Sequence, residues 1–100
     1  MTRLRISPRA GREIRAAAKW WAEHRTAAPT LLSDELEAAY ALINDLPLAG
    51  ERVPHPRIDG LRRVLLGDTQ YFLYYVVSAD RAIIKILSLW HTSRGRAPRL

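Results

Sequence analysis

The sequence predicts an α+β domain in which a short strand and two helices precede three consecutive strands. Apolar residues recur at helical spacing in the first half of the chain, whereas β-branched and aromatic runs fill the second half. The chain has 100 residues, of which 48% are hydrophobic, and this is enough for one small core. We therefore expect a single domain over residues 1–100 with the order β-α-α-β-β-β and an antiparallel sheet.

The first strand and first helix are indicated by alternation followed by a helix start signal. Arg3–Ile6 alternates polar and apolar side chains, as a half-buried strand does. Ser7 is then a suitable N-cap, and Pro8 fits the first helical position, where its missing N–H costs nothing. The helix is predicted to run to about Arg25, with one apolar stripe made of Ala10, Ile14, Ala17, Ala18 and Trp21.

A second helix is predicted from about Thr30 to Leu46, after a break at residues 26–29. Pro47 ends it, because proline cannot continue a helix. Its apolar residues are spaced four and three apart, namely Leu32, Leu36, Ala39, Ile43 and Leu46. Two amphipathic helices joined by so few residues form an antiparallel hairpin.

The second half reads as a loop followed by three strands. Residues 47–60 contain three of the six prolines and two of the five glycines, which indicates a surface loop. Strands are predicted over Leu61–Leu66, Gln70–Val77 and Ala82–Trp90, with turns at 67–69 and 78–81. The middle strand is apolar on both faces, so we expect it at the centre of the sheet and covered on both sides.

The charge distribution favours an anionic partner. The chain has a net charge of +6 and a pI near 10.5. Residues 1–15 carry five Arg and one Glu, and residues 62–100 carry seven basic and two acidic residues. Such a field attracts nucleic acid or an acidic protein segment. The first predicted helix is Ala-rich and the second is acidic, so neither has the features of a DNA recognition helix.

Several classes of protein are excluded by what the sequence lacks. There is no cysteine, which excludes a disulfide scaffold, a thiol nucleophile and thiolate metal sites. His24 and His55 have no partners at metal-ligand spacing, so we expect no metal and no cofactor. No apolar run approaches the roughly 20 residues that span a bilayer. The basic N-terminal segment has no apolar core of a secretory signal. A cytoplasmic protein without membrane contact is the expectation.

Four short segments in a fixed order are similar to one protein family. They are Leu46–Gly50, Leu61–Arg63, Tyr71–Tyr75 and Ile86–His91, the last followed by Arg94. Over essentially its whole length the chain resembles the RelE/ParE superfamily of toxins from type II toxin–antitoxin systems. The resemblance implies a cognate ParD-like antitoxin whose disordered acidic tail folds on the toxin, in a toxin–antitoxin hetero-oligomer.

The superfamily contains two functions, and the resemblance favours one of them. ParE-like members inhibit DNA gyrase and block replication, whereas RelE-like members are ribosome-dependent mRNA endonucleases. RelE-like enzymes have an Arg just after the tyrosine of the aromatic strand, where this chain has Phe72. They also have a Lys-rich cluster, whereas this chain has only two lysines, Lys19 and Lys85. We therefore expect a gyrase inhibitor with no catalytic residue. In the alternative, a metal-independent endoribonuclease, the reacting groups would be Arg63, Tyr71, His91 and Arg94.

Two sets of binding residues are expected, the first from the charge of the C-terminal segment and the second from the path of the antitoxin that the resemblance implies. The basic C-terminal segment is expected to contact the target through His91, Arg94, Arg96 and Arg99. The helix hairpin and the sheet are expected to bind the antitoxin through Trp20, Leu32, Tyr40 and Arg62. We expect the three apolar members of the second set to be only partly covered in the free chain, so that the antitoxin gains free energy by burying them.

Overall fold

The helices and strands form where the apolar spacing changes from helical to alternating. A computed structural model describes residues 3–100; Met1 and Thr2 of the predicted domain lie outside the described residues. The observed elements are β1 (Arg3–Ile6), α1 (Pro8–His24), α2 (Leu31–Asp45), β2 (Glu51–Arg52), β3 (Arg62–Leu66), β4 (Tyr71–Val77) and β5 (Ile83–His91). A short 3-10 turn over Thr92–Arg94 follows β5. The predicted α+β class is confirmed, and the predicted helices and strands agree to within one residue at each end.

The five strands form one sheet in the order β1-β5-β4-β3-β2, so β4 lies at its centre as predicted. Two features differ from the expectation of an antiparallel sheet. β1 pairs with β5 in parallel, from Arg3 opposite Ile83 to Ile6 opposite Ile86, which makes the sheet mixed. The predicted loop contains the two-residue β2, which pairs with β3. Alternation indicates a strand but does not reveal the direction of its partner, and a strand of two residues is too short to show alternation. The sequence therefore predicts neither feature.

The junction between β1 and α1 is held by Ser7. Its hydroxyl oxygen accepts a hydrogen bond from the Ala10 N–H at 3.1 Å, which caps the helix, and its N–H donates to the Ile86 carbonyl at 3.0 Å. At the other end of α1, the Trp21 indole N–H donates to the Ala28 carbonyl at 2.8 Å. That bond fixes the connection between the helices, and α1 and α2 both cover one face of the sheet.

The core on the helix side of the sheet contains most of the predicted stripe residues. Leu46 is an exception: it is 60% exposed, because it caps the C-terminus of α2 and lies past the last buried turn. Ile14 packs at the edge of this core and is half-buried. The buried members are Ala10, Ala17, Trp21, Leu32, Leu36, Ala39, Ile43, Leu66, Leu73, Tyr75, Ile84, Ile86 and Leu89.

The opposite face of the sheet, which we call the outer face, has a smaller core. Tyr74 and Trp90 are buried there, and Leu61 joins them. The loop before β3 covers one part of this face, and residues 95–100, which we call the tail, cover another through Leu100. β4 is therefore covered on both sides, as predicted. Within residues 3–100 no helix combines the length and the apolar character needed to cross a membrane.

Candidate functional site

A cleft of about 790 Å³ lies between the second half of α1, the β3–β4 turn and the segment that follows β5. Aromatic side chains and two arginines contribute to its walls. The cleft exists because β1 ends opposite Ile86, so the last residues of β5 extend beyond the strand that covers its edge. The lining residues include Glu13, Trp20, Arg25, Tyr71, His91 and Arg94.

His91 ends β5 and holds the turn after it. Its Nδ1 accepts a hydrogen bond from the Ser93 N–H at 3.0 Å and lies 2.7 Å from the Ser93 hydroxyl oxygen. Tyr71 is its partner in the β4–β5 register, and the two rings meet edge to face with centroids 4.8 Å apart. One ring nitrogen of His91 is therefore occupied by a structural contact. This contact gives His91 a structural role in the turn that follows β5.

Tyr71 is poorly suited to act as a general base. Burial raises the pKa of its hydroxyl above the usual value, and the nearby positive charge of Arg94 opposes this only in part. A tyrosine must lose its proton before it can accept one from a 2′-hydroxyl, so a raised pKa works against that step at neutral pH.

Arg63 and Arg94, which the nuclease alternative would place around one phosphate, stack on neighbouring aromatic rings, Phe72 and Trp90 respectively. Arg94 contributes to the lining of the cleft, and its guanidinium lies 4.1 Å from the centroid of the Trp90 ring, which belongs to the core of the outer face. Arg63 lies opposite Tyr74 in the β3–β4 register, on the outer face, where its guanidinium stacks over Phe72 at 3.9 Å and pairs with the Glu51 carboxylate. Tyr71, His91 and Arg94 therefore line the cleft, whereas Arg63 is not among its lining residues. Phe72 and Trp90 are partners across β4 and β5, so Arg94 also approaches the face that carries Arg63.

The tail is attached to the body of the protein by its backbone, which leaves its arginine side chains exposed. The Trp90 indole N–H donates to the Arg96 carbonyl at 2.7 Å, and Arg9 donates to the Arg99 carbonyl. Arg57 donates to the Leu100 carbonyl at 3.3 Å. These bonds fix the tail beside the end of β5. Of the predicted target-binding residues, Arg94 and Arg96 thus lie at the Trp90 ring, next to His91 at the end of β5, and Arg99 lies near Arg9 at the start of α1.

The predicted antitoxin-binding residues occupy different environments. Trp20 is 42% exposed, with His24 stacked on its ring at 4.6 Å and the Arg25 guanidinium 5.2 Å from its centroid. Tyr40 is half-buried against the helix-side core. The expectation that Leu32 is only partly covered is wrong. It is 1% exposed, because the first turn of α2 points it into the core, so no partner can cover it further.

Arg62 has a structural contact that the sequence pattern does not reveal. Its guanidinium donates to the carbonyl oxygens of Leu48 at 3.1 Å and Gly50 at 2.8 Å. These two carbonyls belong to the connection between α2 and β2, so Arg62 closes that connection against β3. The side chain is half-buried rather than extended into solvent.

Glu13 is a further residue of the site that the sequence pattern does not single out. Its Oε1 accepts hydrogen bonds from the Ser88 hydroxyl at 2.9 Å and the Leu89 N–H at 3.3 Å, at the edge of β5 that β1 leaves uncovered. Its Oε2 pairs with Arg9 at 3.5 Å. Glu13 is the single acidic residue among the first 15 residues, and this is the signal that could have revealed it.

The two remaining histidines, His24 and His55, each lie beside backbone groups. Among residues 3–100, no group of three or more His, Cys, Asp or Glu side chains comes together. His24 Nδ1 lies 2.9 Å from the Trp20 carbonyl oxygen, and His55 Nδ1 accepts hydrogen bonds from the N–H groups of Arg57 and Ile58. Both histidines therefore make local contacts with the backbone.

The class of protein to which this fold belongs is identified by its sequence pattern. The sequence pattern of the family described as "ParE toxin of type II toxin-antitoxin system, parDE" matches residues 4–96. The chain therefore belongs to the ParE toxin family of type II toxin–antitoxin systems. The resemblance drawn from the sequence is confirmed.

A solved structure supports the same fold. The chain is similar to a chain described as "Chromosomal ParDE TA system from P. aeruginosa", with a TM-score of 0.69 and 17% sequence identity. The superposition covers 91% of this chain and 96% of that chain. At this identity the likeness concerns the fold. No curated protein matches the chain significantly in sequence.

Proposed function

We propose that this toxin inhibits DNA gyrase and thereby blocks replication, and that a ParD-like antitoxin neutralises it in a hetero-oligomeric complex. The observation that carries the proposal is the match to the ParE toxin family over residues 4–96. Gyrase acts in the cytoplasm, so the toxin is proposed to act there.

The geometry of the cleft supports an inhibitor over an mRNA endonuclease. Metal-independent RNA cleavage requires a base, an acid and cations arranged around one phosphate. Burial raises the pKa of Tyr71, the Nδ1 of His91 holds the turn at Ser93, and Arg63 lies on the outer face of the sheet. His91 and Arg63 are therefore partly occupied by structural contacts, and the raised pKa of Tyr71 works against its use as a base.

The proposed contact with gyrase is the basic end of the sheet, formed by His91, Arg94, Arg96 and Arg99. The three arginine side chains are exposed while the backbone that carries them is held by the bonds to Trp90 and Arg9. A fixed backbone with exposed guanidinium groups loses little conformational entropy when it binds a partner.

The proposed contact with the antitoxin includes Trp20 and Tyr40 on the helix hairpin and Arg62 on the sheet. The exposed part of the Trp20 ring offers apolar area that a partner can bury. Arg62 would meet the antitoxin with the N–H groups that its carbonyl contacts leave available. A net charge of +6 complements an acidic antitoxin tail and accelerates its encounter with the toxin.

The test compares two reactions with the same purified toxin. We expect it to inhibit supercoiling by purified gyrase or to accumulate cleaved DNA, and we expect the cognate antitoxin to reverse the effect. In parallel, translating ribosomes with a defined mRNA report endonuclease activity. Tyr71→Phe is a useful variant, because it removes the hydroxyl that a nuclease would use and should leave gyrase inhibition intact. Cleavage of mRNA with gyrase unaffected would assign the toxin to the endonuclease branch.

A further inference from the structure

Three guanidinium groups from three separate segments surround the ring of Trp90. The Arg94 guanidinium, from the 3-10 turn, lies 4.1 Å from the ring centroid. The Arg96 guanidinium, from the tail, lies 5.4 Å from it, and that of Arg9, from α1, lies 5.9 Å from it. Trp90 itself is 6% exposed. We call these three arginines the Trp90 arginine cluster.

The cluster is built from contacts that bring like charges together. The Trp90 N–H donates to the Arg96 carbonyl, and Arg9 donates to the Arg99 carbonyl, so the tail is drawn toward α1. Cation–π attraction to one indole offsets part of the repulsion between the guanidinium groups. A folded chain that gathers cations in this way leaves a strong positive potential at the site.

Carboxylates compensate little of this charge. Within residues 3–100 the ion pairs are Arg9 with Glu13 and Arg63 with Glu51. Arg94 and Arg96 therefore present their guanidinium groups without a carboxylate partner in the described chain, and both are exposed. Each can bind an anion at its N–H groups while its carbon lies over the indole.

We propose that the Trp90 arginine cluster binds the phosphate backbone of duplex DNA. Planar guanidinium groups form bidentate hydrogen bonds with phosphate, which makes arginine well suited to this role. The buried indole cannot serve as a platform for unpaired bases, which is how proteins bind single strands. The inference deepens the proposed function, since it gives a toxin that acts on gyrase a direct contact with the DNA that gyrase holds.

The experiment measures DNA binding without gyrase, so its failure and the failure of gyrase inhibition are distinguishable. Anisotropy of a short fluorescein-labelled DNA duplex is titrated with the purified toxin over a series of salt concentrations. We expect a dissociation constant of about 1–100 µM at physiological salt. The variant Arg94→Gln/Arg96→Gln should weaken binding about tenfold or more. The slope of log K against log salt should fall by about 0.9 for each phosphate that the variant no longer neutralises.

A matched control removes the same charge elsewhere. Arg5→Gln/Lys85→Gln changes two exposed residues that face each other across β1 and β5, toward the other end of β5 from Trp90. It should keep most of the affinity and the salt slope. Arg94→Lys/Arg96→Lys keeps the charge, so it should retain the slope even if the stacking on Trp90 is weaker. Circular dichroism establishes that each variant is folded.

Three outcomes would overturn the proposal. The first is an absence of duplex binding even at low salt. The second is an equal loss of affinity in the Arg94/Arg96 and Arg5/Lys85 glutamine variants, which would show that total charge, rather than the cluster, determines binding. The third is tighter binding of an RNA duplex or of single-stranded DNA than of the DNA duplex.

Discussion

The Tyr75 hydroxyl accepts a hydrogen bond from the Gly50 N–H at 2.8 Å. It also donates to the Pro47 carbonyl at 2.8 Å, so one side chain satisfies both ends of the connection that follows α2. Tyr75 is fully buried in the central strand. A Cβ atom on residue 50 would lie 2.5 Å from the tyrosine oxygen, and glycine is therefore required there because of space. This contact joins the helix hairpin to the middle of the sheet.

Gly50→Ala should destabilise the fold by about 1–3 kcal/mol, because the new methyl group overlaps a ring that packing holds in place. Urea unfolding followed by circular dichroism measures the change. Gly67→Ala is the matched control: nothing lies within 4 Å of its Cβ position, so its effect should stay within about 0.5 kcal/mol. Equal effects of the two substitutions would show that the Tyr75 ring moves aside at little cost.

Glu35 connects α2 to the β3–β4 turn, and its contribution to stability should depend on pH. Its carboxylate accepts hydrogen bonds from the Asp68 N–H at 2.9 Å and the Thr69 N–H at 2.8 Å. Burial raises the pKa of this carboxyl, but the hydrogen bonds to residues 68 and 69 together outweigh it, and the net pKa lies below the usual value. The stabilisation is therefore present above the unfolded-state pKa of about 4.3 and is lost as pH falls through the lower folded-state pKa.

Glu35→Gln should therefore cost about 1 kcal/mol at neutral pH, a value that allows for solvent screening of this partly exposed group. The difference in unfolding free energy between wild type and variant should shrink below about pH 4. Glu37→Gln removes the same charge from an exposed position of α2 and serves as the control. A difference that stays constant down to about pH 3 would show that the hydrogen bonds do not favour the charged carboxylate.

The elements can be predicted from the sequence because each has its own local signal, whereas the contacts between elements have none. Tyr71–Val77 is apolar on both faces, and this pattern places β4 at the centre of the sheet. The parallel direction of β1 depends on where the helix hairpin returns the chain, which no local pattern encodes. The contact of Arg62 with two carbonyls and that of Glu13 with the edge of β5 likewise join distant segments.

The candidate site can be predicted only in part, for a related reason. Helical spacing identifies Trp21 as core and leaves Trp20 on the surface, and the structure confirms both. For Leu32, the expected binding role conflicts with its place in the apolar stripe, and the stripe determines its position in the core. Arg63 and Arg94 stack on Phe72 and Trp90, which are partners across β4 and β5, and no local pattern encodes these contacts between distant segments.

Arg94→Ala should reduce gyrase inhibition while leaving the fold intact. The exposed guanidinium lies over the Trp90 ring, a contact worth about 0.5–1 kcal/mol, so the melting temperature should fall only slightly. An arginine at the centre of an interface contributes about 2 kcal/mol or more, which corresponds to about a thirtyfold loss of affinity. A supercoiling assay measures the inhibition, and binding to the antitoxin should be unchanged.

The control for Arg94 is Lys85→Ala, which removes an exposed positive charge from the same sheet at a distance from the cluster. It should leave gyrase inhibition unaffected. If Arg94→Ala instead lowers thermal stability and inhibition in parallel, the residue has a structural role in holding the turn after β5.

Trp20→Ala should accelerate dissociation of the antitoxin. Complete burial of a large apolar side chain is worth about 1.5–3 kcal/mol, and Trp20 is already partly covered, so a gain near the lower limit is expected. This corresponds to about a tenfold faster off-rate, measured by surface plasmon resonance with immobilised antitoxin. Added salt should mainly lower the on-rate, because the charge on the toxin acts over distance during the encounter.

Leu65→Ala is the control that tests whether truncating any exposed apolar side chain has the same effect on the off-rate. Leu65 is 50% exposed, comparable to Trp20, but it lies opposite Phe72 on the outer face of the sheet. If the antitoxin helix covers the helix hairpin, truncation of Leu65 should leave the off-rate unchanged while truncation of Trp20 raises it. His24 and Arg25 lose their stacking partner in Trp20→Ala, so thermal unfolding of the free toxin must be measured beside the binding. An unchanged off-rate in a folded Trp20→Ala toxin would show that the antitoxin binds elsewhere.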